Sequence, residues 1–340
     1  GKKEIPALGF IAHMDTVSDF CDHEIRPMVT ENYDGGDLVL GTSGLVLSPK
    51  EFPHLTGLKG RTLLTSDGTT ILGADDKAGI AEILTMIERI QTENRPHGTI
   101  CVAFTPDEEI GMGAEHFNLD QFGAEYAYTL DGDSEGEIQY ENFNACKAEF
   151  EIRGFTVHPG EAKDTMINAS LVAMEINNCL PSMETPRGTE GYEGFYHLVS
   201  FDGNVTETKM KYFIRDFDTD GFHARAAKMQ EIAGSLNEKY GAGTVEIEIV
   251  ESYYNMREKI QPCMQLIEYA KKAAENADIV PDVAPIRGGT DGARLSFKGL
   301  PCPNLGTGGY AFHGVYEHIT VEGMDKAVRM VKDIVGMFAK

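Results

Sequence analysis

No apolar run in the 340-residue chain approaches the ~20 residues needed to cross a bilayer. No signal-peptide pattern is visible either, although the chain opens Gly-Lys-Lys without an initiator Met, so its start says little. Six cysteines (Cys21, Cys101, Cys146, Cys179, Cys263, Cys302) are scattered without a C-x-x-C pair. That argues against a zinc ribbon, a thioredoxin-type motif or a disulfide framework, and for free thiols in a reducing cytoplasm. Basic residues are scarce: 30 Lys and Arg stand against 54 Asp and Glu, a net charge of −24. Such a surface repels phosphate backbones and anionic headgroups, so neither nucleic acid nor a membrane surface is an expected partner. There is no internal repeat, no low-complexity tract and no G-x-S-x-G elbow. The glycines of Gly306–Gly314 lack the lysine and the strand-to-helix setting of a phosphate loop.

What is present is an ordinary globular composition, 41% hydrophobic and 25% charged, long enough for about two domains. Short apolar runs at Ala7–Ala12, Thr99–Phe104 and Tyr126–Leu130 read as buried strands. Each is followed by polar residues. Helical spacing of Ile80, Ile83, Leu84 and Ile87 places a helix over Ala78–Ile90. Strand, helix and strand with polar residues at the strand ends predict a mostly parallel sheet whose site lies at its carboxyl edge. The texture then changes. Ala145–Arg153, Phe195–Phe201, Glu207–Phe217 and Val245–Ile249 alternate as strands with one wet face. Helices are expected at Ile167–Leu180 and at Thr219–Tyr240, the latter capped by Asp218. This β-α-β-β-α-β order predicts an inserted ferredoxin-like domain over residues 144–253. Parallel-sheet texture returns afterwards, with helices at Pro262–Asn276 and Val321–Phe338 and short strands at Val283–Ile286 and Pro303–Gly306. The expected organisation is a catalytic domain split into 1–143 and 254–340 around the insertion.

Several polar clusters sit at the ends of these elements. His13 and Asp15 form H-x-D after a buried strand; at i, i+2 both side chains share a face, so Asp15 can hold the imidazole. Alone, such a pair is more often structural. Asp75 and Asp76 precede a helix, where a capping role competes with one of them bridging two cations. Glu108 and Glu109 follow a strand and are followed by Gly111 and Gly113. Paired glutamates are commonplace on helices. At a turn, however, successive side chains diverge, which would leave one as a metal ligand and the other as a base beside it. Asp131 ends another buried strand, and His313 lies in the glycine-rich Gly306–Gly314 segment. His318 reads as a surface or packing residue. Two histidines and three carboxylates form an N/O donor set suited to zinc, manganese or cobalt. Asp75, Glu109 and Asp131 together carry −3 against +4 for two divalent ions.

The segments A-H-M-D-T-V, L-G-A-D-D-K-A-G, T-P-D-E-E-I-G, R-G-G-T-D-G and T-G-G…H-G, in this order and spacing along the whole chain, resemble the co-catalytic dizinc exopeptidases, in particular their tripeptide aminopeptidases. The resemblance implies a zinc-exopeptidase α/β fold with the inserted domain as a lid. It implies a cytoplasmic enzyme that hydrolyses the N-terminal bond of tripeptides with a metal-bridging water. Asp75 becomes the bridging ligand, through a cis peptide to Asp76. His13 and Asp131 fall on one metal, Glu109 and His313 on the other. Glu108 becomes the general base and Asp15 the orienter of His13. His158, in V-H-P-G, resembles a histidine that related enzymes aim at the tetrahedral oxyanion, in some cases across a dimer interface, which allows a homodimer through the lid. Arg287, in R-G-G-T-D, resembles an arginine that binds a substrate end-group; a structural salt bridge is the alternative.

The family carries several tens of residues ahead of the H-x-D strand, whereas twelve precede His13 here. The expectation is that a chain beginning at Gly1 lacks a packing layer and is unstable or inactive. Related carboxypeptidases, dipeptidases and N-acyl-amino-acid deacylases share the same centre, so the residues above do not separate them. A non-catalytic metal- or peptide-binding protein is a different class; the presence of Glu108 argues against it.

Overall fold

The computed structural model describes residues 5–340, which divide into two compact units. The first comprises residues up to Tyr140 together with Met256–Ala284 and Thr290–Lys340; the second comprises Glu141–Asn255 with Pro285–Gly289.

In the first unit the buried runs pair as expected. Its main sheet has six strands among the described residues, in the order Asp282–Val283, Glu137–Gln139, Asn304–Gly306, Tyr126–Gly132, Leu8–His13, Ile100–Thr105. Neighbours run parallel except Asn304–Gly306 against Glu137–Gln139. Leu8–His13 is buried at every residue, as a central strand covered on both faces must be. Ile11 pairs with Thr129, so His13 and Asp131, each two residues further on, reach the carboxyl edge at the same level. The helix Ala74–Thr92 packs on the Leu8–His13 strand and against Val321–Phe338, which also packs on Gln265–Asn276. It lies so close to the sheet that a Cβ on Gly79 would stand 2.1 Å from the Leu130 carbonyl oxygen. Only glycine fits there.

Four features of this unit depart from the sequence expectation. Gly309–Tyr310, His318–Thr320, Leu63–Ser66 and Pro27–Thr30 form a second, antiparallel sheet that no periodicity announced. Asp291–Lys298 is a helix capped by Thr290, whose hydroxyl accepts from Gly292 N. The expected strand Val283–Ile286 is reduced to Asp282–Val283, and the helix expected over Pro262–Asn276 begins at Gln265, after a 3-10 turn at Gln261–Cys263. Pro262 supplies no amide hydrogen to continue a helix upstream.

The second unit is an antiparallel sheet in the order Phe195–Gly203, Glu207–Asp216, Asn144–Arg153, Val245–Tyr253. Helices Ala169–Asn178 and Thr219–Tyr240 pack on it, completing β-α-β-β-α-β. Asp218 caps the longer helix by accepting from Gly221 N at 2.7 Å. Alternate residues of the strands, including Phe150, Ile152, Tyr212 and Ile214, bury against Val172, Ile176, Phe222 and Met229 from the helices. Residues between them, such as Lys147, Glu149, Glu151 and Lys211, pair their charges on the other face. Pro285–Gly289 belongs to this unit rather than to the 254–340 segment. Ile286 N donates to Glu141 O, and Phe143 N donates to Ile286 O, at 2.8 and 3.2 Å.

Glu82, on the inner side of the Ala74–Thr92 helix, is 1% exposed, and neither carboxylate oxygen has a hydrogen-bond partner among the described residues. Burial pushes its pKa well above the ordinary carboxyl value. In the unfolded chain it would titrate near ~4.3. Between the two values the folded state holds the extra proton, so stability falls as pH rises through that window. Glu82→Gln cannot ionise. Its stability relative to wild type should grow by about 1.4 kcal/mol per pH unit above ~4.3, until the wild-type carboxyl itself ionises in the folded state. Paired urea unfolding at pH 5 and pH 7 measures this; a difference equal at both pH values would remove the explanation.

Candidate metal centre

The carboxyl edge of the main sheet gathers the predicted metal ligands and Glu108. Three adjacent parallel strands end there. Leu8–His13 delivers His13, Tyr126–Gly132 delivers Asp131, and the turn after Ile100–Thr105 delivers Glu108 and Glu109. Asp75 comes from the start of the Ala74–Thr92 helix and His313 from the loop between Gly309–Tyr310 and His318–Thr320.

Asp75 stands between the two histidines. Its Oδ1 lies 2.8 Å from His13 Nε2 and its Oδ2 lies 2.9 Å from His313 Nε2. Each imidazole has a second carboxylate. Asp131 Oδ1 is 3.3 Å from His13 Nε2, and Glu109 Oε2 is 3.2 Å from His313 Nε2. The result is two N/O/O sets that share one aspartate. Around a tetrahedral zinc with ligand distances of ~2.0–2.1 Å, donor atoms stand ~3.3 Å apart, so these separations suit ligands of a common ion. Glu109 Oε1 is buried and accepts no hydrogen bond among the described residues, a lone pair left for a cation. Ligand atoms of His13, Asp75 and Glu109, and separately of His13, Glu108 and Asp131, also lie within 4.8 Å of one another.

The electrostatics agree with a cation-seeking site. Burial opposes a charged His13, but the Asp131 and Asp75 carboxylates outweigh it and push its pKa up to about 12. Asp75 and Glu109 raise His313 to about 10 against its burial. Asp75 is held well below the carboxylate range because its two imidazole partners overcome burial. Burial, with the nearby Asp75 charge, carries Asp131 up to about 7. Glu108 is raised to about 8 by burial and by the charges of Asp131 and Asp291. The potential that draws protons onto these imidazoles would draw a divalent ion equally well.

The two adjacent aspartates divide the roles that the sequence left open between them. Asp75 faces the histidines. Asp76, joined to it by a cis peptide, accepts from His13 N at 3.0 Å and from Gly79 N at 3.1 Å, so it caps the helix and ties it to the strand. Asp15 also does more than expected. His13 Nδ1 lies 3.0 Å from the Asp15 carbonyl oxygen and 3.4 Å from its carboxylate. The carboxylate instead accepts from Glu108 N and Glu109 N, both at 3.1 Å, and braces the glutamate turn. With Nδ1 donating to Asp15, Nε2 is the nitrogen that faces Asp75 and Asp131, where an ion would take the place of its proton.

Two residues escaped the sequence reading. Asp291, 3% exposed, accepts from the Thr105 hydroxyl at 3.0 Å, and a Cβ on Gly113 would stand 2.2 Å from its carboxylate, so it backs the glutamate turn. Glu317 accepts from the amides of Leu72, Gly73 and Asp75. The T-D-G of the quoted R-G-G-T-D-G segment signals Asp291 as the start of a helix; a lone glutamate such as Glu317 carries no signal. His318 proves to be a packing residue: fully buried, stacked on Tyr310 and His54, and held neutral by burial at a pKa of about 4.

Within the second unit, His158 is exposed and begins a 3-10 turn. Its Nδ1 accepts from Gly160 N at 3.2 Å, which leaves the proton of the neutral ring on Nε2. For Arg287 the sequence offers a substrate end-group ligand, with a structural salt bridge as the alternative. Its guanidinium donates to the carbonyls of Gly191 and Glu193 and to the hydroxyl of Thr189, and lies over the Phe143 ring. Its partners here are backbone carbonyls and a hydroxyl, with no carboxylate paired to it among the described residues.

A model of the peptidase family M20/M25/M40 matches residues 68–336. The chain is 54% identical over 338 residues to a peptidase T of Geobacillus sp. (strain WCH70), a match covering 99% of this chain and 82% of that protein. It is 52% identical over 343 residues to a peptidase T of Clostridium novyi (strain NT), with 100% and 84% covered. Among solved structures, aminopeptidase PepT from Bacillus cereus superposes with a TM-score of 0.81 at 28% identity, over 100% of this chain and 82% of that one. The YXEP protein of Bacillus subtilis, a dinuclear metal binding peptidase, shares the fold at a TM-score of 0.65 and 16% identity, over 99% and 82%.

Proposed function

Because the chain belongs to the peptidase family M20/M25/M40, we propose that the centre at the sheet edge is that of a metallo-aminopeptidase which releases the N-terminal residue of tripeptides. The observation that carries this reading is Asp75, one carboxylate presenting an oxygen to each of two imidazoles, each backed by a further carboxylate. His13 and Asp131 would hold one divalent ion, His313 and Glu109 the other, with Asp75 shared. Zinc fits this donor set, and cobalt and manganese suit it too. When bound, such a pair polarises the scissile carbonyl and stabilises the attacking and leaving groups.

The chain's own residues supply the rest. Glu108, within 4.8 Å of His13 and Asp131 ligand atoms, takes a proton from the attacking water as the new C–O bond forms. It then returns that proton to the amine nitrogen as the C–N bond breaks. Asp15 holds Glu108 and Glu109 in diverging directions through their backbone amides. The Nε2–H of His158 is the donor offered to the oxyanion. The tripeptide preference draws on the peptidase T relatives and on the aminopeptidase PepT structure. No helix among the described residues is long and apolar enough to cross a membrane. A cytoplasmic enzyme, paired as a homodimer through the lid, completes the reading.

The test is a peptide panel with bound metal measured: Ala-Ala-Ala, Ala-Ala, Ala-Ala-Ala-Ala and N-acetylated Ala-Ala-Ala, on wild type and His158→Ala. Cleavage largely confined to the free tripeptide is expected, with turnover but not metal content reduced in the variant. Cleavage of the acetylated peptide would move the assignment to a carboxypeptidase or deacylase. Unchanged kinetics in His158→Ala would leave that histidine as a turn cap.

A further inference from the structure

The loop that carries His313 also carries Glu317, four residues later, and the two grip the same aspartate from opposite ends. His313 Nε2 meets the Asp75 carboxylate at 2.9 Å. Glu317 Oε1 accepts from the Asp75 amide at 3.0 Å, while Oε2 accepts from the amides of Leu72 and Gly73 at 2.6 and 2.7 Å. Glu317 is 1% exposed, and its own amide donates to Gly314 O, which closes the loop into a turn. The segment it holds is irregular. Gly73 has φ of 77°, and Asp75 and Asp76 depart from helical angles although the helix begins around them. Amides in such a stretch have no ladder to bind to, and a buried amide without an acceptor is costly. One carboxylate satisfies three of them.

We propose that Glu317 is a positioning residue for the metal centre: it fixes the backbone of Asp75 so that the two carboxylate oxygens point to different ions. The proposal rests on the assignment of Asp75 as the shared ligand. A bridging carboxylate must keep its plane aimed at both ions at once, and its backbone amide is the nearest point at which the chain can be held. Partners that orient a ligand in this way typically change metal affinity by 10–100-fold when removed. Glutamine is a partial substitute by its chemistry. Its single carbonyl oxygen can replace Oε2 on the Leu72 and Gly73 amides, but its NH2 group then faces the Asp75 amide, donor against donor.

The test compares wild type, Glu317→Ala, Glu317→Gln and Glu317→Asp for zinc affinity by chelator competition and for the visible absorption spectrum of the cobalt-loaded protein. Glu93→Gln serves as a distant control, since Glu93, directly after the Ala74–Thr92 helix, pairs with Lys332 on Val321–Phe338. Glu317→Ala should bind zinc about 10–100-fold more weakly, with an altered cobalt spectrum and a fall in kcat larger than any change in KM. Glu317→Gln should fall between it and wild type. Glu93→Gln should lose stability without changing zinc affinity or spectrum. If the alanine variant does not fold, the Gln and Asp variants carry the same comparison. Wild-type zinc affinity and cobalt spectrum in the folded variants would overturn the proposal and leave Glu317 as a structural anchor. Failure of the wild-type protein to bind two ions would instead overturn the reading of the centre itself.

Discussion

Glu108→Gln is expected to keep both metal ions and to lose about 10²–10⁴-fold in kcat, the range for removing a positioned general base. Glutamine matches the shape of glutamate and can still hydrogen bond, but it cannot accept a proton at neutral pH. The two glutamates differ in their surroundings. Glu109 Oε2 sits 3.2 Å from His313, and its Oε1 is buried without a partner, as befits a ligand. Glu108 is raised to about 8 by burial and by Asp131 and Asp291; two divalent ions among those carboxylates would offset the rise and free it to accept a proton. The structure nevertheless puts a Glu108 oxygen within 4.8 Å of ligand atoms on His13 and Asp131. Metal content measured beside kcat therefore decides the matter. Loss of an ion from Glu108→Gln would exchange the roles of the two glutamates.

The second large effect concerns Asp75. Asp75→Ala should empty both positions and abolish turnover, because each ion would lose the ligand it shares with the other. The remaining donors, His13 with Asp131 and His313 with Glu109, make two-ligand sites, too few to hold zinc tightly. Asp131→Ala should be milder, weakening the ion beside His13 while leaving His313, Glu109 and Asp75 around the other. Equilibrium dialysis followed by elemental analysis gives the stoichiometry. One tightly held ion remaining in Asp75→Ala would show that the aspartate serves a single ion and that the bridge lies elsewhere.

Elements with a strong local signature were legible in advance. Thr219–Tyr240 with its Asp218 cap and Val321–Phe338 stand where periodicity placed them. The strands that end in His13 and Asp131 were visible as short apolar runs followed by polar residues. The second sheet of the first unit was not visible. Its strands are two to four residues long, too short for an alternation to register, and they pair across large distances in the chain, Thr65 with His318 for example. The partners of Arg287 were hidden for a related reason. An arginine beside glycines in a recognisable segment looks available, whereas its actual partners are backbone carbonyls of residues 191 and 193, and carbonyls leave no trace in a sequence.

The sequence by itself determined the donor set: which histidines and carboxylates exist, and that each stands at the end of a strand, at a helix start or in a glycine-rich loop. Side-chain chemistry and local periodicity are properties of neighbouring residues, so they can be read along the chain. Only the tertiary structure decided that the Asp76 carboxylate takes the His13 and Gly79 amides, that the Asp15 carboxylate braces the glutamate turn, and that Glu317 holds the Leu72–Asp75 backbone. Those outcomes depend on backbone amides meeting carboxylates from distant segments. Every residue except proline carries the same amide, so the sequence does not mark which amides will be met.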